Sequence, residues 1–204
     1  MKTEELQSAL SIIRCAWTGN DADLIRYHDE EWGVPKLDDR TQFEHLILEV
    51  FQAGLSWATI LKRREGFRQA FADFDAAAVA RFTESDRDRL LNDSGIIRNR
   101  AKIEAAIHNA KLFLHLVLEF GSFYRFVSQF APAEPHRFTE LSEIPAQSPE
   151  AVTMSKELKR RGFKFVGPTI CYAHMQSVGV VNDHLVSCFR CSEVEALRLR
   201  VKAE

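Results

Sequence analysis

The sequence predicts an all-α protein made of many short helices. Apolar residues recur at helical spacing along most of the 204 residues. Start and stop signals bracket these stretches. No run of five or more residues alternates apolar and polar with the period of two that marks a half-buried strand.

The elements follow in chain order. Phe43, Leu46, Ile47, Val50 and Phe51 fall at i, i+3, i+4, i+7 and i+8, one apolar stripe of a helix. Glu49 sits at the margin of that stripe, where periodicity alone reads it as a solvated flank residue. Thr83-Glu84-Ser85-Asp86 opens a second helix, with acids in its first turn where the helix dipole favours them. Leu90 and Leu91 are its core residues, and Gly95 ends it. A long helix runs from about Arg98 to Phe120, with Ile103, Ala106, Ile107, Ala110, Leu114, Val117 and Leu118 on its buried side. A shorter aromatic helix spans Ser122 to Phe130. Four prolines from Pro132 to Pro149 punctuate a loop region. Ser148-Pro149-Glu150 then starts a helix with a serine cap and a proline at its first position, and Gly162 ends it. Pro168 to Val178 is helical. After a break at Gly179 and a buried apolar linker, a C-terminal helix starts at about Asp183.

The bulk composition bounds the function. A chain with 46% hydrophobic and 27% charged residues has ample core for one large domain or two small lobes sharing a cleft. Fifteen phenylalanines make much of that core aromatic. No apolar run approaches the ~20 residues that span a bilayer. Residues 1–10 lack the pattern of a secretory signal. The expected location is therefore the cytoplasm, where Cys15, Cys171, Cys188 and Cys191 are free or metal-bound rather than paired in disulfides. A net charge of -2 argues mildly against a nucleic-acid partner. The distribution argues the other way: Lys156, Lys159, Arg160, Arg161 and Lys164 face one acid, Glu157, with further clusters at Lys62-Arg63-Arg64 and at Arg98, Arg100 and Lys102. Each cluster alone also fits an ordinary solvated helix surface.

Two cysteine–histidine pairs stand at opposite ends of the chain, Cys15 with His28 and His184 with Cys188. In a helix, His184 and Cys188 lie one turn apart on one face. Two thiolates and two imidazoles form the ligand set of a closed, structural zinc site. Two buried cysteines, a core histidine and a surface histidine is the other reading of the same residues.

The run Lys159-Arg160-Arg161-Gly162-Phe163-Lys164-Phe165-Val166-Gly167-Pro168-Thr169-Ile170 reads as a helix–hairpin–helix. Glycines let the backbone turn tightly, and the new helix offers open N–H groups and the positive end of its dipole to a phosphate. A plain αα corner with an exposed basic end is the alternative. Val181-Asn182-Asp183-His184 follows at the distance where glycosylases resembling endonuclease III carry Val-Asp-Thr-His. Asn182 occupies the slot of their assisting acid, and Pro168 or Thr169 that of the Schiff-base lysine of bifunctional members.

These blocks, with Arg14-Cys15-Ala16-Trp17, Tyr27-His28-Asp29-Glu30-Glu31-Trp32-Gly33-Val34-Pro35, Leu48-Glu49, Gln52-Ala53-Gly54-Leu55-Ser56-Trp57 and Ser94-Gly95-Ile96-Ile97-Arg98, resemble the DNA-3-methyladenine glycosylase I family from about Arg14 to Cys188. The resemblance implies a two-lobed, all-α helix–hairpin–helix glycosylase fold. One structural Zn²⁺, held by Cys15, His28, His184 and Cys188, would join the N- and C-terminal regions. The expected layout is an extra N-terminal helix over 1–13, a glycosylase domain over 14–191 with its helix–hairpin–helix at about 156–178, and a charged tail over 192–204.

The implied activity is excision of the cationic base 3-methyladenine from alkylated double-stranded DNA after base flipping, by a monomer with no strand cleavage. The resemblance makes Glu49 the acidic pocket residue. Tyr27, Trp57 and Trp17 become the aromatic base pocket. Gly54 and Leu55 become a loop that enters the base stack. Gly162, Lys164, Gly167 and Thr169 become backbone contacts. Some members carry a tyrosine where this chain has Leu24. The rival readings are a zinc-stabilised damage-binding protein without catalysis, and a zinc hydrolase, which four protein ligands disfavour.

Overall fold

The computed structural model describes residues 12–203, and among them every regular element is helical. The α-helices are α1 (Ala22–Glu30), α2 (Asp39–Gln52), α3 (Trp57–Leu61), α4 (Arg64–Ala70), α5 (Ala76–Val79), α6 (Glu84–Asn92), α7 (Arg100–Phe120), α8 (Phe123–Ser128), α9 (Pro149–Arg160), α10 (Pro168–Ser177) and α11 (Phe189–Ala203). Single 3-10 turns at Ala16–Thr18, Ala72–Phe74 and Leu141–Glu143 punctuate the loops.

Most starts are set by short polar side chains that satisfy the open N–H groups of a first turn. Asp21 caps α1, Asp38 α2, Ser56 α3, Asn99 α7 and Ser148 α9. At α6 the Asp86 carboxylate accepts from both the N–H and the hydroxyl of Thr83. Helix α9 ends in a Schellman turn. Gly162 takes φ +95°, its N–H bonds Lys159 O at 2.9 Å, and the Phe163 N–H bonds Leu158 O at 3.0 Å.

Helix α2 is the centre of the molecule. Ten consecutive residues, Gln42 to Phe51, are buried, because α3, α7, α8, α10 and the 3-10 turn at Ala72–Phe74 pack around it. Its apolar stripe behaves as expected, but no face of its middle turns meets solvent. Burying each large side chain of this core contributes about 1.5–3 kcal/mol. The interior divides into two clusters. The larger runs from Phe43 to Val181 through the phenylalanines, and the smaller gathers Cys15, Tyr27, Trp32, Leu185 and Cys188. Trp57 and Ile144 touch both.

Several expectations change here. Leu118 is 83% exposed, whereas Phe113 and Leu116 are buried. Over so long a helix the buried stripe drifts, because 3.6 residues per turn does not repeat evenly. The C-terminal helix starts at Phe189 rather than Asp183, so His184 and Cys188 do not share a helix face. The stretch read as a charged tail is helical to Ala203. It is anchored by buried Val194 and by Arg198, which donates to Gly179 O and Val180 O. The helix expected over 1–13 lies outside the described residues, apart from Ile12 and Ile13, which are not helical.

Candidate functional site: an aromatic cavity and a cysteine–histidine clasp

Where the two apolar clusters meet, a cavity of about 390 Å³ opens. Its walls are Trp17, Tyr27, Trp32, Glu49, Gln52, Trp57, Leu141, Ile144, Ala173 and Gln176. Tyr27 comes from α1, Glu49 and Gln52 from α2, Trp57 from the first residue of α3, and Ala173 and Gln176 from α10. The Tyr27 and Trp57 rings are 5.1 Å apart and tilted at 52°, while Trp17 and Trp32 meet edge to face at 5.1 Å.

Glu49 is the chemical centre of this cavity. It is 3% exposed, and its Oε2 has no hydrogen-bond partner. Burial alone pushes its carboxyl up to about 8, because the charged form has lost its water and gained nothing in return. The indole N–H groups of Trp17 and Trp57 are also buried without partners. Tyr27 is held far above the usual phenol range, first by burial and then by the nearby Glu49 carboxyl. A cavity of electron-rich rings around an unpaired acid is suited to a flat cationic guest.

The structure brings the four expected cavity residues, Glu49, Tyr27, Trp57 and Trp17, to this one place. Sequence reasoning missed Trp32, Gln52, Leu141, Ile144, Ala173 and Gln176. Trp32 stood in a family-like block but was given no role, and Gln176 carried no local signal. Leu24 is half-buried and does not line the cavity. Asn182 does not line it either. Its Nδ2 donates to Cys191 O at 2.9 Å and to Glu195 Oε2 at 3.3 Å, and its Oδ1 accepts from the His184 N–H at 3.3 Å.

The loop between α2 and α3 projects beside the cavity. Gly54 adopts φ +82°, which a residue with a Cβ rarely takes, and Leu55 is 40% exposed at the tip rather than a core leucine. Lys102, expected on a basic surface, is instead 6% exposed. Its Nζ donates to Phe51 O at 2.9 Å and Ala53 O at 2.6 Å, capping the last turn of α2 and pinning the loop.

The hairpin between α9 and α10 forms as expected. Asn109 of α7 braces it, accepting from Lys164 N and donating to Lys164 O, each at 2.9 Å. Gly162, Lys164 and Thr169 are exposed and Gly167 is half-buried. Its basic character is smaller than the sequence suggests. Arg160 and Arg161 both pair with Glu157, and Arg161 turns away to Glu119 over the Phe120 ring. Arg64 of another cluster is likewise consumed by Glu31 and Glu44.

Cys15, His28, His184 and Cys188 converge, all buried, with ligand atoms within 4.8 Å of one another. Cys188 Sγ lies 3.4 Å from His28 Nε2 and 3.6 Å from His184 Nδ1, and Cys15 Sγ lies 3.7 Å from His184 Nδ1. A tetrahedral ion with sulfur and nitrogen ligands has edges of about 3.5 Å. The second ring nitrogens are also provided for. His28 Nδ1–H donates to Asp29 Oδ1 at 2.7 Å, and Arg14 holds that carboxylate from behind at 2.7 Å. His184 Nε2–H donates to Trp32 O at 3.0 Å. Such partners fix the tautomers that leave the inner nitrogens free for a metal. The four residues can therefore hold a metal, although a tight turn supplies Cys188, through Cys188 N bonded to Leu185 O at 2.8 Å, rather than a helix. The clasp and the cavity share walls, since Trp17 packs against His28 at 5.4 Å and Trp32 against His184 at 4.6 Å.

Fold and site define a class first: an all-α protein with a helix–hairpin–helix element beside an aromatic cavity that holds a buried acid. The family is narrower. The sequence profile of the methyladenine glycosylase family matches residues 17–191. DNA-3-methyladenine glycosylase 1 of Escherichia coli (strain K12) is 49% identical over 177 residues, 86% of this chain and 95% of that protein. DNA-3-methyladenine glycosylase of Haemophilus influenzae (strain ATCC 51907 / DSM 11121 / KW20 / Rd) is 44% identical, over 86% of this chain and 96% of that one. A crystal structure of 3-methyladenine DNA glycosylase I matches with TM-score 0.83 and 47% identity, covering 87% of this chain and 98% of that chain. The Staphylococcus aureus enzyme, solved to explain 3-methyladenine recognition, matches with TM-score 0.82 and 35% identity, covering 87% and 96%. This chain belongs to the methyladenine glycosylase family.

Proposed function

We propose that this chain is a monofunctional DNA glycosylase that hydrolyses the N-glycosidic bond of 3-methyladenine in alkylated double-stranded DNA, after flipping the base into the aromatic cavity. The observation that carries this reading is Glu49, a buried carboxyl with an unpartnered oxygen inside a cage of rings. An unpaired buried acid costs stability, so its retention is explained by a guest that completes it. Methylation at N3 gives the base a positive charge. Stacking against Trp57 and Tyr27 and pairing with Glu49 then favour it over neutral adenine. The same charge already weakens the glycosidic bond, so the enzyme needs little acid assistance, and the position of Asn182 outside the cavity is no obstacle. Leu55 on its pinned loop fills the space the base leaves in the stack. The hairpin, through the open N–H groups of α10 and Lys164, holds the backbone by a phosphate. Strand cleavage is absent because neither Pro168 nor Thr169 offers an amine to the sugar.

Zinc is the metal that best fits two thiolates and two imidazoles at these spacings. Bound there, it would supply a structural tie between the N- and C-terminal regions, held by Cys15, His28, His184 and Cys188. The residues' own part is to hold Trp17 and Trp32 in place as cavity walls. The working form is read as a monomer acting in the cytoplasm. No helix among the described residues is long and apolar enough to cross a membrane.

The displacement of Asn182 favours a second reading, a zinc-stabilised protein that binds alkylation damage without cutting the bond. Chromatography of bases released from methylated duplex DNA separates the two. Release of 3-methyladenine is the expected result, and tight binding without release would establish the alternative.

A further inference from the structure

Gln176 reaches the cavity wall from α10, four residues after Tyr172 on the same helix face. Both side chains turn to one buried carboxylate. Asp183, 2% exposed, accepts from Gln176 Nε2 at 2.7 Å and from the Tyr172 hydroxyl at 2.5 Å. His136 Nδ1 reaches its other oxygen at 2.7 Å, from the loop that also supplies Leu141 and Ile144 to the cavity. Three groups converge on the two carboxyl oxygens of Asp183, the Gln176 amide, the Tyr172 hydroxyl and the His136 ring nitrogen. The amide end that faces it is the NH₂. The terminal torsion of a glutamine is soft and allows either end inward. Asp183 removes that freedom and leaves the carbonyl Oε1 as the end offered to the cavity. Among the described residues no protein donor is paired with that oxygen.

We infer that Gln176 is a specificity-determining residue, its carbonyl fixed by Asp183 as a hydrogen-bond acceptor for the exocyclic amine of the flipped base, and that Asp183, Tyr172 and His136 are its positioning residues. The inference rests on the glycosylase reading above. An adenine-type base carries an amine donor at its six-position, where a guanine-type base carries an oxygen. A fixed acceptor gains a bond from the first and meets a bare oxygen in the second. A free amide would turn to suit either. Glu49 answers the positive charge of the base, whereas Gln176 reads which base carries it.

The test uses the full chain and two substrates. One is methylated duplex DNA, scored by single-turnover release of 3-methyladenine. The other is duplex DNA with an abasic-site analogue, which has no base to read. Gln176→Met keeps length and bulk but loses the acceptor. It should slow release by about tenfold or more, the worth of one hydrogen bond, and leave abasic-site affinity within about twofold. Unchanged release, or release and abasic affinity falling together, would overturn the assignment. Asp183→Asn lets the amide turn either way. It should slow release by about threefold or more at unchanged KM for DNA and unchanged bound zinc. Wild-type rates in that variant would remove Asp183 from the arrangement. The two levels stay separable. A wild-type chain that releases no 3-methyladenine ends the glycosylase reading itself, whereas an active wild type matched by an equally active Gln176→Met ends only the acceptor.

Discussion

The clasp and the cavity lie side by side and are built from the same material, buried polar side chains, yet they are finished differently. In the clasp both histidines have their outer ring nitrogen satisfied, from Arg14 through Asp29 to His28 and from His184 to Trp32 O. In the cavity Glu49 Oε2 and the indole N–H groups of Trp17 and Trp57 are left without partners. A completed polar network inside a protein stabilises one arrangement, whereas an incomplete one costs stability until a ligand arrives. The contrast supports the proposed division between a part that holds the fold and a part that acts on a substrate.

The largest effect that could break this contrast is loss of the clasp. Cys188→Ser, or full chelation, should lower stability by at least about 5 kcal/mol, part of the roughly 10–16 kcal/mol such metal sites supply. Thermal melting read against zinc content checks it, and an unmoved melting curve after complete removal of metal would show that the clasp is not structural. Glu49→Gln should do the reverse, cutting release of 3-methyladenine by about 100-fold or more while the fold stays as stable or gains about 1 kcal/mol. A Glu49→Gln enzyme at wild-type rate would take the acid out of the reaction.

The pH dependence sharpens the same point. The Glu49 carboxyl stands at about 8 when folded and near 4.5 when unfolded, so the folded chain binds the extra proton between those values. Stability should therefore fall as pH rises from about 4.5 to about 8 and then level. Base release should rise over the upper part of that window, as the acid becomes available in its charged form. Parallel melting and single-turnover series at several pH values test both signs. Glu49→Gln should flatten both, and an unflattened profile would assign the slope to other groups. Smallest is the loop: Leu55→Ala should weaken affinity for damaged duplex by about fivefold to twentyfold, the worth of one apolar wedge, and leave binding of free 3-methyladenine unchanged. Equal losses on both ligands would place Leu55 in the cavity rather than in the stack.

Local chemistry made much of this molecule legible. Caps such as Asp38, Asn99 and Ser148 announce helix starts, and Gly162 ends α9 because glycine takes the turn's φ of +95° without a steric penalty. What escaped depends on neighbours distant in sequence. Glu49 reads as a flank residue until four other helices and a 3-10 turn close around α2. Lys102 and Arg161 count as free charge until the Phe51 carbonyl and the Glu119 carboxylate meet them. His184 and Cys188 converge through a turn and not through the shared helix face that their spacing suggests, since a turn can return a side chain as well as a helix can. Gln176 had no signal at all, because its meaning comes from Asp183.

The bonds from Lys102 to the end of α2 have a mechanical consequence. A loop tied by an internal cation is a fixed post and not a moving finger. If this loop enters the base stack as proposed, the duplex must yield at the point of contact, and the loop does not reshape itself around it. Base pairs that stack well push past such a post, whereas a pair weakened by damage gives way. On that proposal the first stage of lesion search is a test of stiffness, made before any group in the cavity reads the base.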